Sequence, residues 1–290
     1  MNSRQYTLAS RILIFVICLG LLSFASCKSD DDTNDKNDNN NPPQEEIINE
    51  HITYDILQDT IYQTTVHIFK SNIQGPKVAI VGGIHGDEIA GWSTALNLVK
   101  RNNFKGEVMI IPQASILADT LQQRYPGQKS NNIYNGIKYS DLNRTFPGSA
   151  TGTPTEQIAN AIALTVESFG PDYFIDLHES RRSSTDPVSP LLGDLLIYGN
   201  TYSALFCEDI TYEFNHKHLL PGETAFGTDT NAPKGSFCNY FGTTYPDSIV
   251  FTIETNREYS TTLGKDTADL SRRIEQQTQL LDIFFSIIWK

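Results

Sequence analysis

The sequence predicts a single α/β domain built on a mostly parallel, mixed central sheet flanked by helices, and three observations lead there. The composition is globular: 39% of the 290 residues are hydrophobic, 10% aromatic and 19% charged, which supplies a sizeable core. Strand-like and helix-like stretches alternate along most of the chain, the pattern of parallel strands joined by helical crossovers. Residues 77–84, KVAIVGGI, form an apolar run of the kind buried on both faces of a sheet.

Taken in order, the first 27 residues stand apart from the fold. Arg4 and Arg11 precede an apolar run from Ile12 to Leu22 and small residues up to Cys27, which reads as an export signal. The segment LLSFASC resembles a bacterial lipoprotein signal (residues 1–26). That resemblance implies a lipid on Cys27, membrane attachment through it, and a periplasmic or cell-surface location. Residues 27–50 carry eight acids and two bases and read as a disordered acidic tether. Residues 51–290 then form the folded body. The net charge of −12 removes the electrostatic footprint of a nucleic-acid binder and favours a basic partner or a small substrate.

Within the body, 51–57 and 62–69 read as a leading hairpin. After the buried strand 77–84, a helix is expected over 88–100, with Ile89, Trp92, Ala95, Leu96 and Val99 three and four apart. A strand over 107–111, a long polar loop, a helix over 155–169 and a strand over 173–177 follow. Residues 180–247 carry no readable order. A strand over 249–254 and a helix over 267–289 close the chain. Cys207 and Cys238 lack a C-x-x-C spacing; they can pair in an oxidising compartment or lie buried independently.

In an open α/β sheet the ligand site lies beyond the carboxyl ends of the strands, so chemistry-bearing residues there matter most. His85 and Glu88 stand three residues apart in GGIHGDE, at the turn from strand to helix. His178 ends another strand, two residues after Asp176, and the two share a face. Two imidazoles and one carboxylate leave a fourth position open, as a catalytic zinc requires.

GGIHGDE, then DLNRTFPG at 141–148, then DLH at 176–178, resemble in this order the succinylglutamate desuccinylase and aspartoacylase family, relatives of the zinc metallocarboxypeptidases. The resemblance covers about residues 77 to 255 and implies a metallocarboxypeptidase-like fold. It implies one zinc ion on His85, Glu88 and His178, with Asn143 and Arg144 binding a substrate carboxylate. A guanidinium suits that task through two parallel charge-assisted hydrogen bonds; an ion pair of Arg144 with Asp141 is the structural alternative. The family also has a glutamate near the end of a late core strand, and Glu254 supplies it as general base and then acid, with Glu179, Glu223 and Glu258 as competitors. An oxyanion-stabilising arginine falls to Arg124, with Lys138 as a substitute. Asp176 is expected to orient a ligand histidine from behind.

The expected activity is zinc-dependent hydrolysis of an amide bond next to a carboxylate-bearing residue, as in an N-acyl-amino-acid deacylase. A carboxypeptidase acting on peptides or cell-wall peptides is the alternative within this chemistry. A surface lipoprotein that binds a ligand without catalysis is the alternative outside it.

Overall fold

The computed structural model describes residues 49–180, 193–257 and 269–290. The expected signal, Cys27, nearly all of the acidic tether and Glu258 lie outside the described residues. Two strands open the described chain, β1 (Asn49–Ile56) and β2 (Thr64–Ser71), paired as the expected hairpin. Asn49 and Glu50, placed by the sequence in the tether, pair with Ser71 and Lys70 instead, since backbone pairing at a sheet edge needs no apolar side chain.

Next come β3 (Lys77–Gly82), α1 (Ile89–Leu98) and β4 (Glu107–Ile111), close to the expected bounds. The long polar loop holds more structure than its composition suggests: a short helix α2 (Ile116–Leu121) and the two-residue strands β5 (Ile133–Tyr134) and β6 (Ile137–Lys138). Helix α3 (Pro154–Phe169) starts on a capping box, in which Thr153 Oγ1 accepts from Glu156 N–H and the Glu156 carboxylate accepts from Thr153 N–H. It stops at Gly170, which adopts the left-handed conformation of a helix C-cap.

Strand β7 (Tyr173–Ser180) runs three residues past Leu177, so His178 lies inside the strand rather than at its end. The stretch without readable order contains β8 (Leu195–Tyr198), α4 (Ala204–Lys217), β9 (Gly227–Asp229) and α5 (Phe237–Thr244). Strand β10 (Ile249–Asn256) and helix α6 (Leu270–Ile288) follow.

Eight strands form one mixed sheet in the order β1-β2-β4-β3-β7-β10-β8-β9. Its middle, from β4 through β3 and β7 to β10, is parallel, and antiparallel pairs join β2 to β4 and β8 to β10. Alternate residues of each strand feed two cores. Ile80, Ile175, Leu177, Phe251 and Ile253 face α1, α4 and α6, whereas Ala79, Val81, Phe174 and Val250 face α3 and α5. Cys207 belongs to the first core and Cys238 to the second, so the sheet separates them and both are free thiols.

Two glycines set the distances at the carboxyl end of β3. Gly91 lets α1 lie directly on β7, since a Cβ there would stand 2.5 Å from the Leu177 carbonyl oxygen. Gly86 lets the loop after β3 lie on α2, where a Cβ would stand 1.9 Å from the Ala118 carbonyl carbon. Gly86→Ala must push two backbone segments apart. We expect a loss of about 2–4 kcal/mol, read as a lower denaturation midpoint, with displacement of His85, the next residue back.

Candidate active site

The parallel order of β3, β7 and β10 brings the carboxyl ends of three strands together, and each delivers a side chain. His85 follows β3 on the turn into α1. Glu88 occupies the N-cap position of α1 but its carboxylate makes no capping bond, which frees it to turn inward. His178 comes from β7, and Glu254 stands directly opposite it on β10. One donor atom each from His85, Glu88 and His178 falls within 4.8 Å of the others, and all three residues are buried.

Glu88 bridges the two imidazoles. Its Oε1 lies 2.8 Å from His85 Nδ1 and its Oε2 2.6 Å from His178 Nδ1. The opposite ring nitrogens also meet carboxylates: His85 Nε2 is 2.9 Å from Asp141 Oδ1, and His178 Nε2 is 2.8 Å from Asp176 Oδ1. Each ring therefore faces carboxylate oxygen on both sides, while a neutral imidazole owns one N–H. Positive charge is needed to complete the set, either as a second proton on each ring or as a cation among the two Nδ1 atoms and Glu88. His85 Nε2 can donate to Asp141, whereas His178 Nε2 faces both Asp176 Oδ1 at 2.8 Å and Asn143 Nδ2 at 3.3 Å. With the proton on both outer nitrogens, the Nδ1 lone pairs would converge with the Glu88 carboxylate, which is the donor chemistry of a zinc site. The residues present fit the ion.

The electrostatics follow the same logic. Burial raises the Glu88 pKa, but His85 and His178 outweigh it and hold the group well below the ordinary carboxylate range. Burial disfavours charge on His178, yet Asp176 and Glu88 prevail and lift its pKa well above the usual value. Glu254 goes the other way: burial, with Glu88 and Asp176 nearby and only partly offset by His178 and Arg124, pushes its pKa up to about 8. One carboxylate is thus held ionised and its neighbour on β10 is held near neutrality, the arrangement that suits a ligand beside a proton shuttle.

Arg124 reaches this cluster from the loop after α2. Its Nε donates to Asp141 Oδ2 at 2.9 Å and one Nη to Glu88 Oε1 at 3.2 Å. Lys138 sits on exposed β6 and is absent from the cavity wall, which Arg124 does line. Asp141 is the residue that sequence reasoning undervalued. It does not pair with Arg144; its two oxygens serve His85 and Arg124, and Oδ1 also accepts the Asn143 N–H.

The expected carboxylate-binding pair is divided. Arg144 is exposed at the cavity, with one Nη donating to the Asn143 carbonyl at 2.7 Å. Asn143 is buried, and its Oδ1 accepts the Phe237 N–H at 2.9 Å, bracing the start of α5. Half of the Asn143 carboxamide is therefore spent on the fold. Glu179, one competitor for the base, is bound to Arg273 and to the Ala90 N–H; Glu223, another, pairs with Arg272. Gln277 of α6 anchors the end of β7 by donating to the His178 carbonyl at 2.8 Å.

A cavity of about 560 Å³ opens beside the cluster. His85, Glu88, Arg124, Asn143, Arg144 and Glu254 contribute to its wall, together with the end of β7, Thr252 of β10, the 231–236 loop, and one residue each from β8, β9 and α5. Those last elements come from the stretch whose sequence carried no motif.

Residues 74–188 match the succinylglutamate desuccinylase/aspartoacylase catalytic domain. Over 113 residues, 38% of this chain, the sequence is 31% identical to N-alpha-acetyl-L-2,4-diaminobutyric acid deacetylase of Halomonas elongata. That match spans about 30% of the deacetylase. Among solved structures, the ectoine utilization protein EutE of Ruegeria pomeroyi superposes with a TM-score of 0.56 at 18% identity, covering 83% of this chain and 67% of that one. A Silicibacter succinylglutamate desuccinylase gives 0.54 at 16% identity, with 83% and 67% covered. The D,L-carboxypeptidase that determines cell shape in Helicobacter pylori gives 0.57 at 18% identity, with 74% and 51% covered. Residues 74–188 thus resemble the succinylglutamate desuccinylase/aspartoacylase catalytic domain in sequence, and the chain shares its fold with the solved desuccinylase, EutE and D,L-carboxypeptidase structures.

Proposed function

We propose that this protein is a zinc-dependent hydrolase of an amide bond whose nitrogen belongs to a carboxylate-bearing amino acid. The observation that carries the reading is the convergence of His85, Glu88 and His178 on one point with Glu254 opposite on the adjacent strand. A zinc ion on those three residues would supply Lewis acidity, polarising the amide carbonyl and lowering the pKa of water.

The chain's own residues do the rest. Glu254 takes a proton from the attacking water as its oxygen bonds to the carbonyl carbon, then passes that proton to the nitrogen as the C–N bond breaks. Burial, with Glu88 and Asp176 nearby, raises its pKa above the ordinary carboxylate value, which favours holding the proton it must deliver to the nitrogen. Arg124 places a guanidinium on the wall beside Glu88, where it can offset negative charge growing on the carbonyl oxygen. Arg144 holds the substrate carboxylate and so aligns the amide with Glu254, a positional effect. Asp141 and Asp176 fix the two imidazoles in the tautomer that presents Nδ1 inward.

The direct test is metal analysis of the purified protein, followed by assay on N-acyl amino acids and C-terminal peptides with and without chelator. Chelator-sensitive release of a free amino acid is expected; turnover that survives complete metal removal sinks the reading. Arg144→Ala should raise KM for a carboxylate substrate by about tenfold to a hundredfold with a smaller change in kcat, and an unchanged KM would remove Arg144 from its role. A peptide substrate has support of its own: a second cavity of about 530 Å³ shares Arg144 and continues along Lys234, Asn239 and Thr243.

A further inference from the structure

The cavity beside Glu254 extends sideways across the sheet. Residues directly opposite on neighbouring strands project to the same face. Thr252 of β10 pairs with Ile197 of β8, and Ile197 pairs with Asp229 of β9. These three side chains form a row on the face that also carries Asp176 and Glu254, and all three line the cavity. Cys238 closes the row from α5, its thiol directed at the Ile197 carbonyl at 3.2 Å.

The row has a definite chemistry. Thr252, Ile197 and Cys238 are buried and uncharged, so they form a neutral floor next to Glu254. Asp229 ends it with a half-buried carboxylate. Strands lie about 4.8 Å apart, which puts the Asp229 backbone about 10 Å from that of Thr252. Most other charges on the wall are already committed: Glu88 to the two imidazoles, Arg124 to Glu88 and Asp141, and Glu179 to Arg273 and the Ala90 N–H. Asp229 spends Oδ1 on the Asn231 N–H at 3.0 Å, the ordinary closure of an Asx turn, which leaves its charge uncompensated by that bond.

We infer that the site selects substrates whose amino-acid part carries a cationic side group, with the methylene stem over Thr252, Ile197 and Cys238 and the cation on Asp229. This rests on the reading under Proposed function and adds the substrate class. The same amino acid then meets the wall twice: its carboxylate at Arg144 and its side-chain cation at Asp229. A neutral side chain of the same length fills the slot but leaves Asp229 desolvated without a partner, and an acidic one is repelled.

The experiment uses the zinc-loaded full chain with Nα-acetyl-L-lysine, Nα-acetyl-L-norleucine and N-acetyl-L-glutamate, and calorimetry with free L-lysine and L-norleucine. The parent should favour the lysine substrate over the norleucine one in kcat/KM by at least about tenfold. Asp229→Asn keeps an acceptor for the Asn231 N–H, and should bring that ratio to within about threefold of unity. Asp229→Lys should move the preference toward glutamate. Hydrolysis of both acetylated substrates without preference, or the same ratio in parent and Asp229→Asn, overturns this inference and leaves the proposed reaction standing. Asp229-dependent binding of lysine over norleucine without any hydrolysis supports the slot and overturns the reaction. Neither hydrolysis nor selective binding overturns both.

Discussion

His178→Ala should abolish stoichiometric zinc binding and, with it, hydrolysis. The ring lies at the centre of the charge balance: its Nδ1 faces Glu88 at 2.6 Å and its Nε2 faces Asp176 at 2.8 Å. Removing it leaves two buried carboxylates without the cationic group that separates them and takes one donor from a three-donor set. Zinc content after dialysis should fall from near one ion per chain to less than about a tenth, since two protein ligands do not complete such a site. Added zinc should raise the denaturation midpoint of the parent and leave that of the variant unchanged, because a ligand stabilises only the state that binds it. Glu88→Gln, which keeps the side chain's shape, should behave the same way and guards against a variant that simply unfolds. Equal zinc content in parent and both variants would contradict the ligand assignment.

Glu254→Gln should retain zinc and lose turnover by about 10²–10⁴-fold, the usual contribution of a positioned general base. The amide keeps the size of the carboxylate and its place opposite His178, but it cannot take a proton. Retained activity above about a tenth of the parent rate would transfer the role elsewhere. The same pair of proteins gives a pH signature without metal. In the folded protein Glu254 releases its proton only near pH 8, against an ordinary value of 4.5. Between those values the native state holds a proton that the unfolded chain has lost, so parent stability relative to Glu254→Gln falls as pH rises from about 4.5 to about 8. The slope is at most about 1.4 kcal/mol per pH unit. Below and above that window the difference should be flat. Denaturant titrations of the chelated proteins at pH 5, 6.5 and 8 measure it, and a difference that grows in the opposite sense would show that Glu254 is ionised in the fold.

Much of the site was legible because its residues sit where strands give way to turns. The apolar run from Lys77 to Val81 can only be an interior strand, and the glycines after it can only be a tight exit, so His85 and Glu88 had to stand at a sheet end. Strand β7 was harder. Its last residues, His178 to Ser180, are polar, so the strand read from the sequence stops at Leu177 although the backbone remains paired with β10 to Ser180. Strands β8 and β9 are four and three residues long, too short for any periodicity. Helix α4 buries Cys207, Ile210 and Phe214 but exposes Leu205 and Tyr212, which blurs its amphipathic face. Thr252, Ile197 and Asp229 come from three strands and share no motif, which is why the cationic slot is invisible along the chain.

The amino-acid sequence alone determined the α/β class, the buried strand and helix that frame residues 77–100, and the kinds of side chain offered at the strand ends, because hydrophobic period and turn chemistry are local. The partners of those side chains were decided by tertiary structure. Asp141 meets His85 across 56 residues through the loop that carries it, and Glu88 meets His178 across 90 because β7 lies beside β3 in the sheet. A charged residue's role is set by what stands within about 3 Å of it, and only strand order fixes that neighbourhood.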